Sequence, residues 1–184
     1  MFDIDAPRFP ARTGKPRSVL VRSWRKSMQL NIAPLNEAQA REICDAWIYE
    51  GEYAIYNVSW ADAVAQRWSI ADENKRAVQF RGVFDESNAL IGFFRMTEDA
   101  HSEVEIGMGM RPDLCGKGLG KAFVVAVTAY TRIQFPQKRL YLEVRAFNRR
   151  AVSCYQKAGY AVKYQHEKMT PAGMTDYIRM EYEL

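Results

Sequence analysis

Apolar and polar residues alternate along "MQLNIAPL" (28–35), a spacing that predicts a strand with one buried face. Asn36 stands next in an N-cap position, and "EAQAREICDAWIY" after it sets Ala40, Ile43, Ala46 and Trp47 at helical spacing. A second short helix is predicted from Trp60 to Ser69. The runs "AVQFRGVFD" (77–85) and "ALIGFFRMTE" (89–98) flank the turn residues "ESN" and predict a hairpin. "SEVEIGMGM" (102–110) extends it into a meander. The period then changes. Leu119, Ala122, Phe123, Ala126, Val127, Tyr130 and Ile133 form one stripe at helical spacing, so a helix runs from Leu119 to about Gln134. "RLYLEVRA" (139–146) returns to strand spacing. Asn148 opens another helix and Gly159 closes it at C′. "YAVKYQHEK" and "MTDYIRMEYEL" are two final strands around "TPAG". The order β-α-α-β-β-β-α-β-α-β-β is that of an α+β fold. It implies a mixed, mostly antiparallel sheet with one strand–helix–strand crossover in its middle.

The crossover begins with "RPDLCGKGLGKAF" (111–123), where glycines stand at 116, 118 and 120. A strand, a glycine-rich turn and a helix N-terminus make an anion site, because the first helical N–H groups lack intrahelical acceptors. Glycine lets backbone approach a phosphate with no Cβ in the way. Lys117 and Lys121 add full charges. The stretch is not a P-loop, since GxxxxGK(S/T) is absent, and its GxGxG spacing is not the dinucleotide fingerprint. Taken alone, GxGxG is also compatible with an ordinary tight turn.

From Val104 to Ala161 the sequence resembles the GNAT superfamily of N-acetyltransferases. That family's cofactor signature is Gln/Arg-x-x-Gly-x-Gly/Ala after a strand, matched here by "MGMRPDLCGKGLG" except that Cys115 stands where Gln or Arg is usual. Its second motif, Asn-x-x-Ala followed by Tyr and a "KxGF/Y" ending, is complete in "NRRAVSCYQKAGY" from Asn148 to Tyr160. The resemblance implies the GNAT fold: a central, mostly antiparallel sheet with its fourth and fifth strands splayed, and helices on both faces. It implies acetyl-CoA as cosubstrate, with pantetheine paired to the backbone of Met108 and Met110. The pyrophosphate would lie on the amides of Cys115, Gly116, Lys117, Gly118, Leu119 and Gly120, beside Lys121, with Asn148 also on the cofactor side. Cysteine at 115 keeps the backbone N–H but not the bracing side chain, so weaker acetyl-CoA binding is expected.

Moving an acyl group from a thioester to an amine needs a neutral amine, a donor for the developing oxyanion and a proton for the leaving thiolate. The resemblance makes Tyr155 the acid. Tyr155 and Asn148 are seven residues apart, so they share one helix face about 10 Å apart. Glu103 and Glu105 alternate on the strand before the glycines. Glu105, nearer the splay, is the favoured base, directly or through water, and His101 is expected to be solvated. The oxyanion donor is expected among the backbone N–H groups near Met108 to Met110. Trp47, Tyr49, Tyr53, Tyr56 and Trp60 crowd a short stretch that either cradles the amine by cation–π contact or packs a helix pair onto the sheet.

Charge changes the picture only at the N-terminus. The net charge is +4, yet residues 1–27 alone carry seven Lys/Arg against Asp3 and Asp5. This basic arm precedes a nearly neutral stretch, 28–184, expected to be a single N-acetyltransferase domain. No RNA-reading or helix-turn-helix pattern accompanies the arm, so no nucleic-acid partner is expected. Three unpatterned cysteines, Cys44, Cys115 and Cys154, suit free thiols in a reducing cytoplasm, and no metal-ligand spacing occurs. The longest clean apolar run, "AFVVAV", is far too short to span a membrane. Edge-strand pairing leaves a homodimer open. The expectation is a cytoplasmic enzyme that acetylates a primary amine of a small molecule or a peptide or protein N-terminus by direct transfer. The alternative is a non-catalytic acyl-CoA-binding regulatory module.

Overall fold

Local signals in the chain account for most element boundaries. Asn36 and Gln39 form a reciprocal capping box that starts α1 (Glu37–Ala46). Ser59 caps α2 (Trp60–Ala65) by accepting from the Asp62 N–H, and Asp72 caps α3 (Glu73–Gln79) by accepting from the Lys75 N–H. Gly159, at φ +100°, ends α5 (Arg149–Lys157). The long stripe forms α4 (Gly120–Gln134). The computed structural model describes residues 19–22, 29–170 and 173–183.

The strands are β1 (Val19–Arg22), β2 (Gln29–Pro34), β3 (Phe80–Phe84) and β4 (Leu90–Glu98). They continue with β5 (Val104–Met110), β6 (Leu140–Arg145), β7 (Tyr160–Thr170) and β8 (Gly173–Tyr182). They form one sheet in the order β1-β2-β3-β4-β5-β6-β8-β7. Every neighbour pair is antiparallel except β5–β6, which is parallel. Helices cover both faces. On one, Phe123, Val127 and Tyr130 of α4 pack on Phe94, Met96, Val104, Ile106, Leu140 and Leu142. On the other, Ala40, Ile43, Trp47 and Trp60 pack on Phe80, Phe84 and Leu90. Each fully buried Val, Leu, Ile, Phe or Met among them contributes about 1.5–3 kcal/mol of transfer free energy.

Three features depart from the expectation. Residues 77–79 continue α3 instead of opening a strand, because the Asp72 cap starts a helix whose Arg76 is buried against the Ile70 carbonyl. A 3-10 turn, Gly51–Tyr56, fills part of the connection between α1 and α2, and α2 stops at Ala65, short of Ser69. Val19–Arg22 pairs with Gln29–Ile32 as a further strand within the stretch read as an arm. The rest of residues 1–28, and residues 171–172 and 184, lie outside the described residues.

Candidate active site

The parallel β5–β6 register has only two pairs, Val104↔Leu140 and Glu105↔Tyr141. Beyond them β5 stays paired to β4 as far as Met110, and β6 stays paired to β8 as far as Arg145. The sheet therefore opens into a wedge between residues 106–110 and 142–145. The Val104 N–H donates to the Arg139 carbonyl across the closed end. Strand alternation then turns the main-chain groups of Met108 and Met110 toward the opening.

The glycine loop roofs the wide end of the wedge. The Cys115 thiol reaches back to the Met110 and Arg111 carbonyls, each at 3.7 Å. Gly116 and Gly118 have φ of +79° and +81°, which other residues adopt only under strain, and a Cβ at either would meet nothing within 4 Å. The Cys115 N–H is taken by the Pro112 carbonyl at 3.1 Å and that of Lys117 by Leu114 at 3.4 Å. Leu119, at the N-cap of α4, gives no side-chain hydrogen bond, so the first turn of α4 keeps outward N–H groups. Lys117 and Lys121 are exposed beside it. Gly120 differs from the other two glycines: a Cβ there would lie 2.8 Å from Cys154 Sγ. Its role is to let α4 pack on α5.

α5 supplies the other wall. Asn148 caps the helix, its Oδ1 accepting from the Ala151 N–H at 3.1 Å, while its Nδ2 donates to the Tyr56 hydroxyl at 3.2 Å. Tyr155 is half-buried against the α4 core and tilts on Tyr160, ring centroids 6.2 Å apart. Burial holds its phenol well above the ordinary tyrosine range, and the Cys154 thiol and the phenols of Tyr56, Tyr160 and Tyr49 add to the rise. Tyr155 therefore keeps its proton across the physiological range.

The aromatic stretch between α1 and α2 divides in two. Trp47 and Trp60 are core, 4% and 8% exposed. The tyrosines line the site. Tyr49 donates to the Met110 carbonyl at 2.8 Å, and its ring meets Tyr56 edge-on at 6.3 Å. Tyr56 stacks on Phe147, and Arg150 lies 4.4 Å over the Tyr53 ring. Next to them is an open cleft of about 730 Å³ lined by Trp47, Tyr49, Tyr53, Asp113, Cys115 and Arg150. Burial raises the Cys115 thiol, opposed by Arg150 and reinforced by Asp113.

The face of the sheet beneath this cluster carries the carboxylates. Glu103 is bound by Arg179 and lies 3.3 Å from Arg139. Glu105 lies 3.5 Å from Arg95, at the last paired position of β5. Gly107 and Gly109 follow on the same face, and a Cβ on Gly107 would meet nothing within 4 Å. Continued register sets Glu143 and Arg145 of β6 across the opening from them. Glu143 is 14% exposed and holds His166 at 3.1 Å and Lys168 at 2.7 Å. Sequence reasoning passed over Glu143, although "LYLEVR" sets Tyr141, Glu143 and Arg145 on one face of a strand with neighbours on both sides. His101 is exposed in the turn before β5, its N–H donating to Asp99 Oδ1 at 2.8 Å.

Residues 20–161 match the family model for the acetyltransferase (GNAT) domain. The chain belongs to the GNAT family. A mycothiol acetyltransferase from Salinispora tropica is 32% identical over 130 residues, 64% of this chain. The matched region spans 41% of that relative's length. Among solved structures, a GNAT-family acetyltransferase from Bacillus anthracis superposes with a TM-score of 0.67 at 15% identity, covering 89% of this chain and 97% of its own. A chimera of the Vibrio cholerae spermidine N-acetyltransferase SpeG and hSSAT gives 0.63 at 21% identity, covering 83% and 94%. At such identities the likeness is one of fold. It establishes the splayed GNAT sheet expected from sequence. Among the described residues of this GNAT domain, no group of three or more His, Cys, Asp or Glu is placed to hold a metal. No described helix is long and apolar enough to cross a membrane.

Proposed function

We propose that this chain is an acetyl-CoA-dependent N-acetyltransferase acting on a primary amine by direct transfer. The observation that carries the reading is the wedge. Parallel pairing stops after two residues, and an uncapped helix N-terminus closes the wide end. The residues fit the carrier. Main-chain groups of Met108 and Met110 offer a strand-like edge to pantetheine amides. Gly116, Gly118 and the first turn of α4, with Lys117 and Lys121, offer N–H groups and charge to the phosphates. When bound, acetyl-CoA supplies an activated acyl thioester.

The protein's own groups divide the proton work. Tyr155 holds its proton and gives it to the leaving sulfur. The Met108 and Met110 N–H groups, turned toward the opening, would be the donors for the developing oxyanion. Glu105 and Glu143 flank the bare backbone at Gly107 and take the proton that the incoming ammonium must lose. Direct transfer is favoured because burial raises all three thiols, Cys44, Cys115 and Cys154, and leaves none poised as an acyl acceptor.

An amine panel assayed by CoA thiol release tests this. Wild type is expected to turn over at least one amine, and Tyr155→Phe to lower kcat about 100-fold or more with acetyl-CoA affinity retained. Equal turnover by Tyr155→Phe removes the tyrosine from the mechanism. Tight acetyl-CoA binding without thiol release would favour the non-catalytic module.

A further inference from the structure

Among the described residues four arginines are buried, Arg76, Arg81, Arg95 and Arg145, none more than 7% exposed. Three have partners that account for them. Arg76 donates to the Ile70 carbonyl at 2.8 Å and faces Glu37 at 3.8 Å. Arg81 donates to the Tyr130 hydroxyl and to the carbonyls of Ala77, Val78 and Phe80. Arg95 faces Glu105. Among the described residues Arg145 has one hydrogen bond, from Nη1 to Thr175 Oγ1 at a long 3.4 Å. No carboxylate among the described residues lies within ion-pair distance of it. Its guanidinium sits between the rings of Tyr56 and Tyr177, 5.9 and 5.5 Å from their centroids. Ring faces attract the charge, and Thr175 takes one N–H of the planar fork, so the remaining donors are open to a ligand. That fork fits a carboxylate.

The location gives this guanidinium a use. Arg145 ends β6 across the opening from Gly109, on the face that carries Glu143. Tyr56, which covers it, contacts Asn148 and lies beside Tyr155. The carboxylates of this face are already engaged: Glu103 by Arg179 and Arg139, Glu105 by Arg95, Glu143 by His166 and Lys168, Glu181 by Arg179 and Arg139. On this face the second ammonium of a polyamine would have to compete with those cations for a carboxylate. We infer that Arg145 anchors a carboxylate on the acceptor, so that the amine acetylated is an amino acid, a short peptide or another amine bearing a nearby carboxylate. The inference rests on the acetyltransferase reading above and names its acceptor.

The test is a matched-pair screen. α-Amino acids and dipeptides are each compared with their C-terminal amides, with spermidine as a carboxylate-free amine, by CoA thiol release. The acids are expected to exceed their amides by about 10- to 100-fold in kcat/KM, the range for a charge-assisted pair. Arg145→Gln should erase that preference by raising the acceptor KM while the acetyl-CoA KM stays put, and Arg145→Lys should restore part of it. Equal rates for acid and amide, preference for spermidine, or a raised acetyl-CoA KM in Arg145→Gln with the acceptor KM unmoved would overturn the assignment. The last result would give Arg145 to the phosphates of the carrier instead. Calorimetry on CoA-saturated wild type separates this from failure of the enzyme reading and needs no variant to fold. N-acetylglycine binding where N-acetylglycinamide does not supports the anchor even if no amine is turned over. Equal or absent binding of both sinks it.

Discussion

Gly120→Ala reports directly on the contact that seats the glycine loop. The new Cβ would sit 2.8 Å from Cys154 Sγ, where ordinary contact begins at 3.4 Å, so about 0.6 Å must be found. Cys154 is short and lies on a helix, so it can yield only by changing its χ1 rotamer or by displacing α4. Overpacking of this kind costs about 1–3 kcal/mol. Alanine in place of glycine in a helix returns up to about 1 kcal/mol, less in the first turn. The net expectation is a loss of about 0.5–2 kcal/mol. In a Cys154→Ala background the obstructing sulfur is gone and only the helix term remains. There the same substitution should stabilise by about 0.5–1 kcal/mol. The sign reversal corresponds to a coupling of about 1–3 kcal/mol, above the scatter of a double-mutant cycle. Urea unfolding followed by tryptophan fluorescence on the four proteins of the cycle measures it. Equal effects of Gly120→Ala in both backgrounds would show that Gly120 is not there for packing.

Gly118→Ala meets no neighbour, so its cost is the backbone strain of φ +81°, about 1–2 kcal/mol, and calorimetry should show acetyl-CoA affinity falling with it; unchanged affinity would take the loop away from the phosphates. Tyr160 is raised by burial from 10.0 to about 12. A pKa raised on folding gives stability that is intact below pH 10 and lost as pH climbs toward 12, worth about 3 kcal/mol for this residue. Denaturation profiles of wild type and Tyr160→Phe should therefore diverge in slope above pH 10 and run parallel below it. Burial and Asp45 raise Cys44 to about 11, which at pH 8 leaves a thiolate fraction roughly two orders of magnitude below that of free cysteine. Mass-mapped iodoacetamide labelling should find Cys44 slowest and Cys115 shielded by acetyl-CoA. Labelling of Cys115 faster than free cysteine would contradict the raised thiol.

Hydrophobic spacing carried most of the fold because the strands and α4 each bury one regular face. What it missed was decided by partners distant in sequence. Residues 77–79 are helical because Arg76 finds the Ile70 carbonyl and Glu37, which no local pattern reveals. Trp47 and Tyr49 looked alike as aromatics in one stretch. Only the third dimension sends one into the core and the other to the Met110 carbonyl. The three glycines likewise read as one collar, yet two serve backbone conformation and the third makes room for Cys154. Glu143 and Arg145 gain meaning from the register, which sets them across a gap whose far side carries no side chains.

Two residue pairs are also all that rivet one half of the sheet, β1 to β5, to the other, β6 to β8. The halves stay together through one shared core, in which α4 packs on the β1–β4 side and meets α5, while Leu142 and Val144 join the same cluster from β6. Such a joint behaves like a book held by its spine, and its covers should breathe at lower free energy than any other strand boundary. Amides of β5 and β6 that face the gap should exchange with deuterium ahead of those facing β4 and β8. A carrier laid between the covers would slow them selectively, and the molecule would then melt as one leaf.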